Sequence, residues 1–578
     1  MANGRFLLAK LGVVAAAMLT ASPALALDGS PSSININQIV GAERFYFSDG
    51  QYTGTRAIQA NIEGEHLWLD HDVFGGPSHV TTFHTGSGAI GSSGSHATTT
   101  AHMMGGRSDI GTYETATSTT QRRWGIGFDA ELWSGAMGVS TQGDGSTFGV
   151  TDQSFYTTYH PMLVEGIGGR TVDVFNSSYG FEDEVAGSTR SRSLDGMINA
   201  SGVVGVAAAG NGGSTGINSV GSPAAAYNTI AVGALSRGSE PYYNSVASFS
   251  SRSPQDFYHF GNDETIPAAE SQRAVVDIVA PGTSLRAAIL QDSDTPDTWA
   301  YNNSTAGTSV AAPIVAGGAS LIVDAGKDVY ANNDNAIDGR VVKSVLLNGA
   351  DKIPGWSNGQ TVTNGVTTTT QSLDYVSGAG RMNLDSTFDQ YMLTDHGGEA
   401  GTADLTGLTG GDVASTGWDY GFVNDSASTD YFINEALEGG TTFTATLSWF
   451  VDRAAGSMSG GRFASLSGAD EQHFANLDLE VFRFDAETQT VLDTIAESIS
   501  LYNATEHLHF DLDEDGHYGI RVNYTDALWN VTGETGEFFG LAWEGTQLST
   551  IAVVPLPAPV AMGAVMLITA MLPRRRRN

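Results

Sequence analysis

Thr305 to Pro313 reads TAGTSVAAP, and it is the stretch of this chain best suited to chemistry. Gly307 and Thr308 allow a tight approach of the backbone. Ser309 follows where a helix should begin, because Val310 to Val323 is a long run of apolar and small residues. A serine at that point faces unpaired N–H groups and the positive end of the helix dipole. The plain alternative is an N-cap serine ahead of a buried helix. Pro313 fits such a helix only within its first turn, where a missing N–H costs little. Two other stretches suggest metal chemistry. Asp511 to Gly516 (DLDEDG) opens like a calcium loop, but its twelfth position is Val522 where a glutamate is needed, so a hairpin turn is the better expectation. His66, His71, His79 and His84 have neither HExxH spacing nor a cysteine partner, and solvated loop histidines are expected rather than a zinc site.

GTSVAAP resembles the nucleophile motif of subtilisin-like serine proteases, the subtilases. That family carries its acid, histidine and serine in that chain order. Three further segments carry the resemblance. VAAAGNGG, followed by SPAAAYNTIAVGAL, is similar to the oxyanion segment of the family, which implies that Asn211 donates to the oxyanion of a tetrahedral intermediate beside the Ser309 N–H. Phe175 to Gly180 (FNSSYG) resembles the strand on which an extended substrate adds, which implies Ser178, Tyr179 and Gly180 as peptide-binding backbone. Asp277 to Gly282 (DIVAPG) and Gly378 to Asn383 (GAGRMN) match structural segments and imply no chemistry.

The histidine and acid are less regular. In SHATTTAHMMGG the family pattern keeps His96, with Ala97 and His102 where glycines are usual, so His96 is the implied general base and His102 its competitor. The family acid is an aspartate just after a strand. Here RAIQANI (56–62) reads as that strand and Glu63 follows it directly, with Asp70 and Asp72 as displaced alternatives. The resemblance implies a serine endopeptidase acting on polypeptides, with no cofactor for catalysis and structural calcium by family analogy. The rival readings are a subtilase fold kept as a binding module, its triad eroded at the acid, and a matrix or envelope structural protein.

The elements that must position these residues follow from patterning. Strands are expected at 56–62, from Asp129 to Trp133, and at 171–177, 202–209, 227–235 and 275–280, with helices at 194–200 and 341–347. Apolar runs such as GVVGVAAA suit parallel strands buried on both faces. Alternating strands and helices predict an α/β fold with a mostly parallel sheet, functional residues lying at the carboxyl ends of the strands. From 391 to 548 the pattern changes to strands at 441–451, 477–484, 507–512 and 518–524, which predicts a β-sandwich of jelly-roll type.

At 578 residues the chain is long enough for several segments. The expected division is a signal peptide at 1–26, a short polar entry at 27–50, a peptidase domain at 51–390, an accessory β-domain at 391–548 and a tail at 551–578. The entry is too short for the domain-sized pro-segment of many secreted subtilases. A net charge of −36, from 27 basic and 63 acidic residues, argues against nucleic acid as partner. With no cysteine there is neither disulfide nor thiolate chemistry.

Arg5 and Lys10, an apolar stretch from Leu11 to Leu19 and the Ala24-Leu25-Ala26 site read as an export signal, cleaved after Ala26. The tail joins Val554-Pro555-Leu556-Pro557 to an uncharged stretch and then to Arg574 to Arg577. It resembles PEP-CTERM sorting signals in a leucine variant. That implies transient membrane attachment, processing by an exosortase-type enzyme, and a secreted or envelope-associated bacterial protein.

Overall fold

The computed structural model describes residues 35–548, apart from 76–77, 108–123, 141–147, 182, 184, 291–299, 332, 393–409, 465 and 467–469. The expected signal peptide and sorting tail lie outside the described residues.

The apolar runs at 204–208, 229–236 and 278–281, and the mixed but buried segments at 58–63, 131–136 and 174–177, stack into the middle of the molecule. The strands are β1 (Ile58–Glu63), β2 (Val80–Thr85), β3 (Glu131–Ala136), β4 (Val174–Ser177), β5 (Val204–Ala208), β6 (Thr229–Ser236) and β7 (Ile278–Pro281). They form a parallel sheet in the order β7-β6-β5-β4-β1-β3-β2, with Ser245–Val246 added antiparallel to β6. Around it lie α1 (Ser95–Gly105), α2 (Asp152–His160), α3 (Thr189–Ser201), α4 (Thr308–Val329) and α5 (Gly339–Asn348). The parallel α/β architecture is the expected one. Asp277 ties the far edge of the sheet together, accepting from Ala231 N (2.7 Å) while pairing with Lys343 Nζ of α5 (3.0 Å).

α4 is long and apolar enough to cross a membrane, but it is almost wholly buried in the fold, so it is a core helix. It begins at Thr308, which puts Pro313 in the second turn and not the first. The missing N–H leaves the Ser309 carbonyl without its i+4 donor. The expectation for Pro313 is corrected on that point.

The entry at 35–52 is also not a loose polar lead. Val40, Phe45, Tyr46 and Tyr52 are buried, Phe45 meets Phe388 edge-on at 4.9 Å, and Tyr46 Oη donates to Ile126 O (2.6 Å).

The second half is a β-sandwich. One sheet runs β8-β9-β16-β15-β18-β12-β10, built from β8 (Thr361–Thr363), β9 (Val366–Thr369), β10 (Gly411–Val413), β12 (Ser428–Ile433), β15 (Glu471–Asp485), β16 (Thr490–Ser498) and β18 (Tyr518–Asn530). The short β14 (Asp452–Arg453) pairs with β15. The other sheet has the order β11-β19-β13-β17, from β11 (Thr416–Asn424), β13 (Thr442–Trp449), β17 (Thr505–Asp511) and β19 (Gly536–Glu544). Successive strands change sheet at most connections, as a jelly roll requires. The segment Asp511 to Gly516 is therefore not a hairpin turn: it leads from β17 in one sheet to β18 in the other.

The two halves are joined by shared structure. The β8–β9 hairpin lies before residue 390, yet β9 pairs with β16. Buried ion pairs bridge them too: Glu471 takes Arg192 of α3 and Arg453 of β14, and Arg453 reaches Asp195 of α3 at 2.8 Å. Asp195 also accepts from Tyr227 N and Asn228 N. Such a cluster survives burial because each charge meets partners; removing one would strand the rest.

Candidate active site

β1, β4 and β5 all end at the same edge of the sheet, and α1 and α4 begin there. Glu63 is the last residue of β1 and is 3% exposed. Its Oε1 accepts from Ser178 N (3.1 Å), just past the end of β4, and its Oε2 lies 3.2 Å from His96 Nδ1. One carboxylate thus spans the first turn of α1 and the exit of β4. The Glu63 charge raises the His96 pKa above its ordinary value and overrides burial, which works the other way. The His96 side chain remains 51% exposed.

A chain of buried amides fixes the strand ends. Asn61 Nδ2 donates to Ala97 O of α1 (3.1 Å), Asn176 Nδ2 to Asn61 Oδ1 (2.9 Å), and Asn176 is also bonded to Ser178 Oγ. This sets β1, β4 and α1 against each other without help from solvent.

The serine side is built on a glycine. Gly307, at φ 150°, precedes α4, and a Cβ there would come within 2.9 Å of Ser309 Oγ. Asn211, after β5, has its amide oriented from α4: its Oδ1 accepts from Thr308 N (3.0 Å) and Thr308 Oγ1 (3.2 Å). With Oδ1 occupied, Nδ2 is left as the outward donor. Thr308 Oγ1 in turn accepts from Gly210 N (3.1 Å), closing a bridge between the loop after β5 and α4. Ser309 is the second residue of α4, so its N–H has no carbonyl one turn back.

His96, Ser309, Asn211, Ser178, Tyr179 and Gly180 all line one cleft of about 490 Å³. Behind its wall, Tyr159 Oη is shared between Ser177 Oγ (2.5 Å) and Tyr179 Oη.

The rival residues are engaged elsewhere. His102 is buried and its Nδ1 accepts from Ala288 N (2.9 Å). Asp72 accepts from Tyr301 Oη (2.6 Å) and contacts His71 Nδ1 (2.9 Å). Asp70 is exposed. The early histidines are no zinc cluster, and three of the four are not solvated: His66, His71 and His79 are buried, with His66 held by Ser134 and Thr85 and His79 by Gly105 O, while His84 is half-buried with Nε2 2.8 Å from Thr157 O. Burial pushes the His66 pKa down to about 4.

Sequence reasoning assigned Thr308 only a part in the tight backbone approach and Asn176 no role, yet both hold the working groups in place. Thr308 was visible as the residue before Ser309 in GTSVAAP; Asn61 and Asn176 carried no signal beyond polar residues inside buried strands.

The model of the Subtilase family matches residues 77–380, more than half of the chain, and the chain belongs to that family. It is similar to Subtilisin amylosacchariticus of Bacillus subtilis subsp. amylosacchariticus, 33% identical over 192 residues, 33% of this chain and 41% of that relative. Subtilisin J of Geobacillus stearothermophilus matches equally. Subtilisin of Bacillus pumilus is 36% identical over 153 residues, 26% of this chain and 42% of the relative. The chain thus spans about two fifths of the length of the curated relatives it matches. Glu63 lies upstream of the family match.

Proposed function

We propose that this protein is a serine endopeptidase that hydrolyses polypeptides through Ser309, His96, Glu63 and Asn211. The contact that carries this reading is Glu63 Oε2 to His96 Nδ1 at 3.2 Å, made by the residue at the carboxyl end of β1, in a cleft that also contains Ser309 and Asn211.

An extended substrate lies along the backbone of Ser178, Tyr179 and Gly180. Ser309 Oγ attacks the scissile carbonyl carbon, and its proton passes to His96 Nε2. Glu63 holds the His96 ring through Nδ1–H and stabilises the imidazolium without taking the proton. The carbonyl oxygen becomes an oxyanion, which Asn211 Nδ2–H and the Ser309 N–H bind. Collapse breaks the C–N bond, and the leaving amine takes the proton from His96. Water then attacks the acyl-enzyme, giving its proton to His96 and releasing the acid as Ser309 recovers its own. No step calls for a cofactor; structural calcium is a proposal from family analogy.

Residues 51–390 are the proposed peptidase unit and 391–548 the accessory β-domain. Export follows from the basic, apolar and Ala24-Leu25-Ala26 pattern, and envelope attachment with exosortase-type processing from the Val-Pro-Leu-Pro and arginine tail.

A fluorophosphonate probe tests the reading. The full chain should label at Ser309 and digest casein, and Ser309→Ala should do neither. A folded parent chain that resists the probe and leaves casein intact would make this a binding module on a subtilase fold.

A further inference from the structure

A second histidine–carboxylate cluster lies far along the chain, between the two sheets of the sandwich. Asp452 of β14 and His473 of β15 are direct cross-strand partners in one sheet. Glu537 of β19 comes from the opposite sheet. His473 Nδ1 lies 3.2 Å from Glu537 Oε2 and 3.9 Å from Asp452 Oδ2, and one ligand atom from each residue falls within 4.8 Å of the others.

Two of these atoms, His473 Nδ1 and Glu537 Oε2, are buried and meet only the cluster itself. The His473 side chain has no exposed surface, and its Nδ1 meets nothing beyond the carboxylates of Glu537 and Asp452. Glu537 is 4% exposed; its Oε1 takes the Phe538 N–H (3.0 Å), while Oε2 faces only His473 Nδ1 at 3.2 Å. A buried polar atom left short of hydrogen bonds costs on the order of 1–3 kcal/mol, more when charged, and a bound ion is one of the things that relieves it. The remaining His473 nitrogen, Nε2, meets Tyr524 Oη at 2.9 Å, and the two rings stack with an 11° tilt. That is the outer support a ligating histidine needs: Nε2–H donating to the tyrosine leaves Nδ1 as the nitrogen that gives up its proton to take the ion.

We infer that Asp452, His473 and Glu537 bind a divalent ion of the zinc type, clamping the two sheets of the sandwich. One imidazole and two carboxylates suit zinc, with a fourth position left for water. Calcium prefers six to eight oxygens and is poorly served by a nitrogen. Ligand atoms about 2.0–2.2 Å from zinc in a tetrahedron stand roughly 3.4 Å apart, against 3.2 Å and 3.9 Å for the two separations from His473 Nδ1. The charges around the cluster also favour a cation. Glu534 adds a negative field, while Arg340, the basic group facing it, is paired with Asp338 at 3.0 Å.

The site is separate from the proposed peptidase cleft, so its test is independent of proteolysis. The full chain, stripped with chelator, is titrated with Zn²⁺ by calorimetry in millimolar Mg²⁺, which occupies the acidic surface. One equivalent should bind, and the thermal midpoint should rise with Zn²⁺. Glu537→Gln and the less buried Asp452→Asn should each weaken binding at least tenfold. Tyr524→Phe, which only frees the ring of His473, should weaken it about tenfold. Circular dichroism shows which variants are folded. No saturable uptake by the parent chain overturns the site, as does parental affinity in folded Asp452→Asn.

Discussion

His96 Nδ1 lies 3.2 Å from Glu63 Oε2, and His473 Nδ1 lies 3.2 Å from Glu537 Oε2. The contact is the same and the settings are opposite. His96 is half exposed in a cleft with its far nitrogen open to a reactant; His473 is sealed, its far nitrogen taken by Tyr524. Each glutamate gives one oxygen to a backbone N–H, of Ser178 at 3.1 Å for Glu63 and of Phe538 at 3.0 Å for Glu537, and the other to its histidine. A histidine–glutamate pair can move protons only when the histidine has a free second nitrogen. When that nitrogen is tied down, the pair can still ligate or remain charged. Both histidines have raised pKa values. For His96 the Glu63 charge dominates over burial; for His473 burial is the larger effect but is outweighed by the contacts with Glu537 and Asp452. A shifted pKa alone would not tell the two apart, whereas access does.

The comparison breaks most directly at Ser309. If the cleft is where the chemistry occurs, Ser309→Ala should cut casein hydrolysis by about 10⁴-fold or more while leaving the circular dichroism spectrum unchanged. Activity within tenfold of the parent would put the nucleophile elsewhere.

Glu63→Gln comes next. It keeps the size of the side chain but favours the wrong tautomer of His96, and a loss of roughly 10⁴-fold in turnover is expected. Asp72→Asn, measured alongside, should stay near the parent, since Asp72 is engaged by Tyr301 and His71. Collapse of the aspartate variant instead would mean a different acid. pH sharpens the same contrast. The general base must be neutral, so kcat/KM should rise with pH on the alkaline side of 6.5, the ordinary histidine value, because Glu63 raises the His96 pKa. In Glu63→Gln the acid limb should move to lower pH. The ion pair stabilises the fold below the unfolded histidine pKa and loses that contribution as pH rises through the raised folded value.

These residues were unequally legible in the sequence. Ser309 and Asn211 sit in segments where backbone geometry dictates several neighbours: Gly307 must leave room for Ser309 Oγ, and Gly210 must turn at φ 105°. Their motifs are therefore dense. Glu63 is held by its place at the end of β1 and by two contacts far off in sequence, so only the strand boundary pointed to it. The parallel sheet was readable because strands buried on both faces are continuous apolar runs. Strand β2 of that sheet was missed, as were β8 to β12, β14, β16 and β19 of the second half. β12 (STDYFI) and β16 (TVLDTIAES) mix polar residues into short or irregular alternation, and what makes them strands is pairing with β18 and β15. The His473 cluster was invisible, since its three residues come from three strands with no fixed spacing.

Asn211→Ala should cost less than loss of the acid. It removes one donor of the oxyanion pair and leaves the Ser309 N–H, for a fall of about 10²–10³-fold in kcat with KM little changed. A large rise in KM at constant kcat would instead assign Asn211 to uniform substrate binding.

Thr308 should give the smallest effect, because it acts only through Asn211. Its hydroxyl donates to Asn211 Oδ1 (3.2 Å) and accepts from Gly210 N (3.1 Å), while its own N–H also donates to Asn211 Oδ1 (3.0 Å). Thr308→Val keeps the shape and the backbone donor but removes the bridge. Gly210 N then loses its acceptor, and the Asn211 amide keeps one tether out of two. A neutral hydrogen bond of this kind contributes about 0.5–1.5 kcal/mol, which corresponds to roughly 2- to 13-fold in rate if it is spent wholly on orientation. The loss should fall on kcat, and it should vanish in an Asn211→Ala background, where there is no amide left to orient. Additive losses in the double variant would show that Thr308 supports the loop and not the oxyanion donor. Non-additive losses would show that the donor of this cleft, like the histidine, depends on what holds its other end.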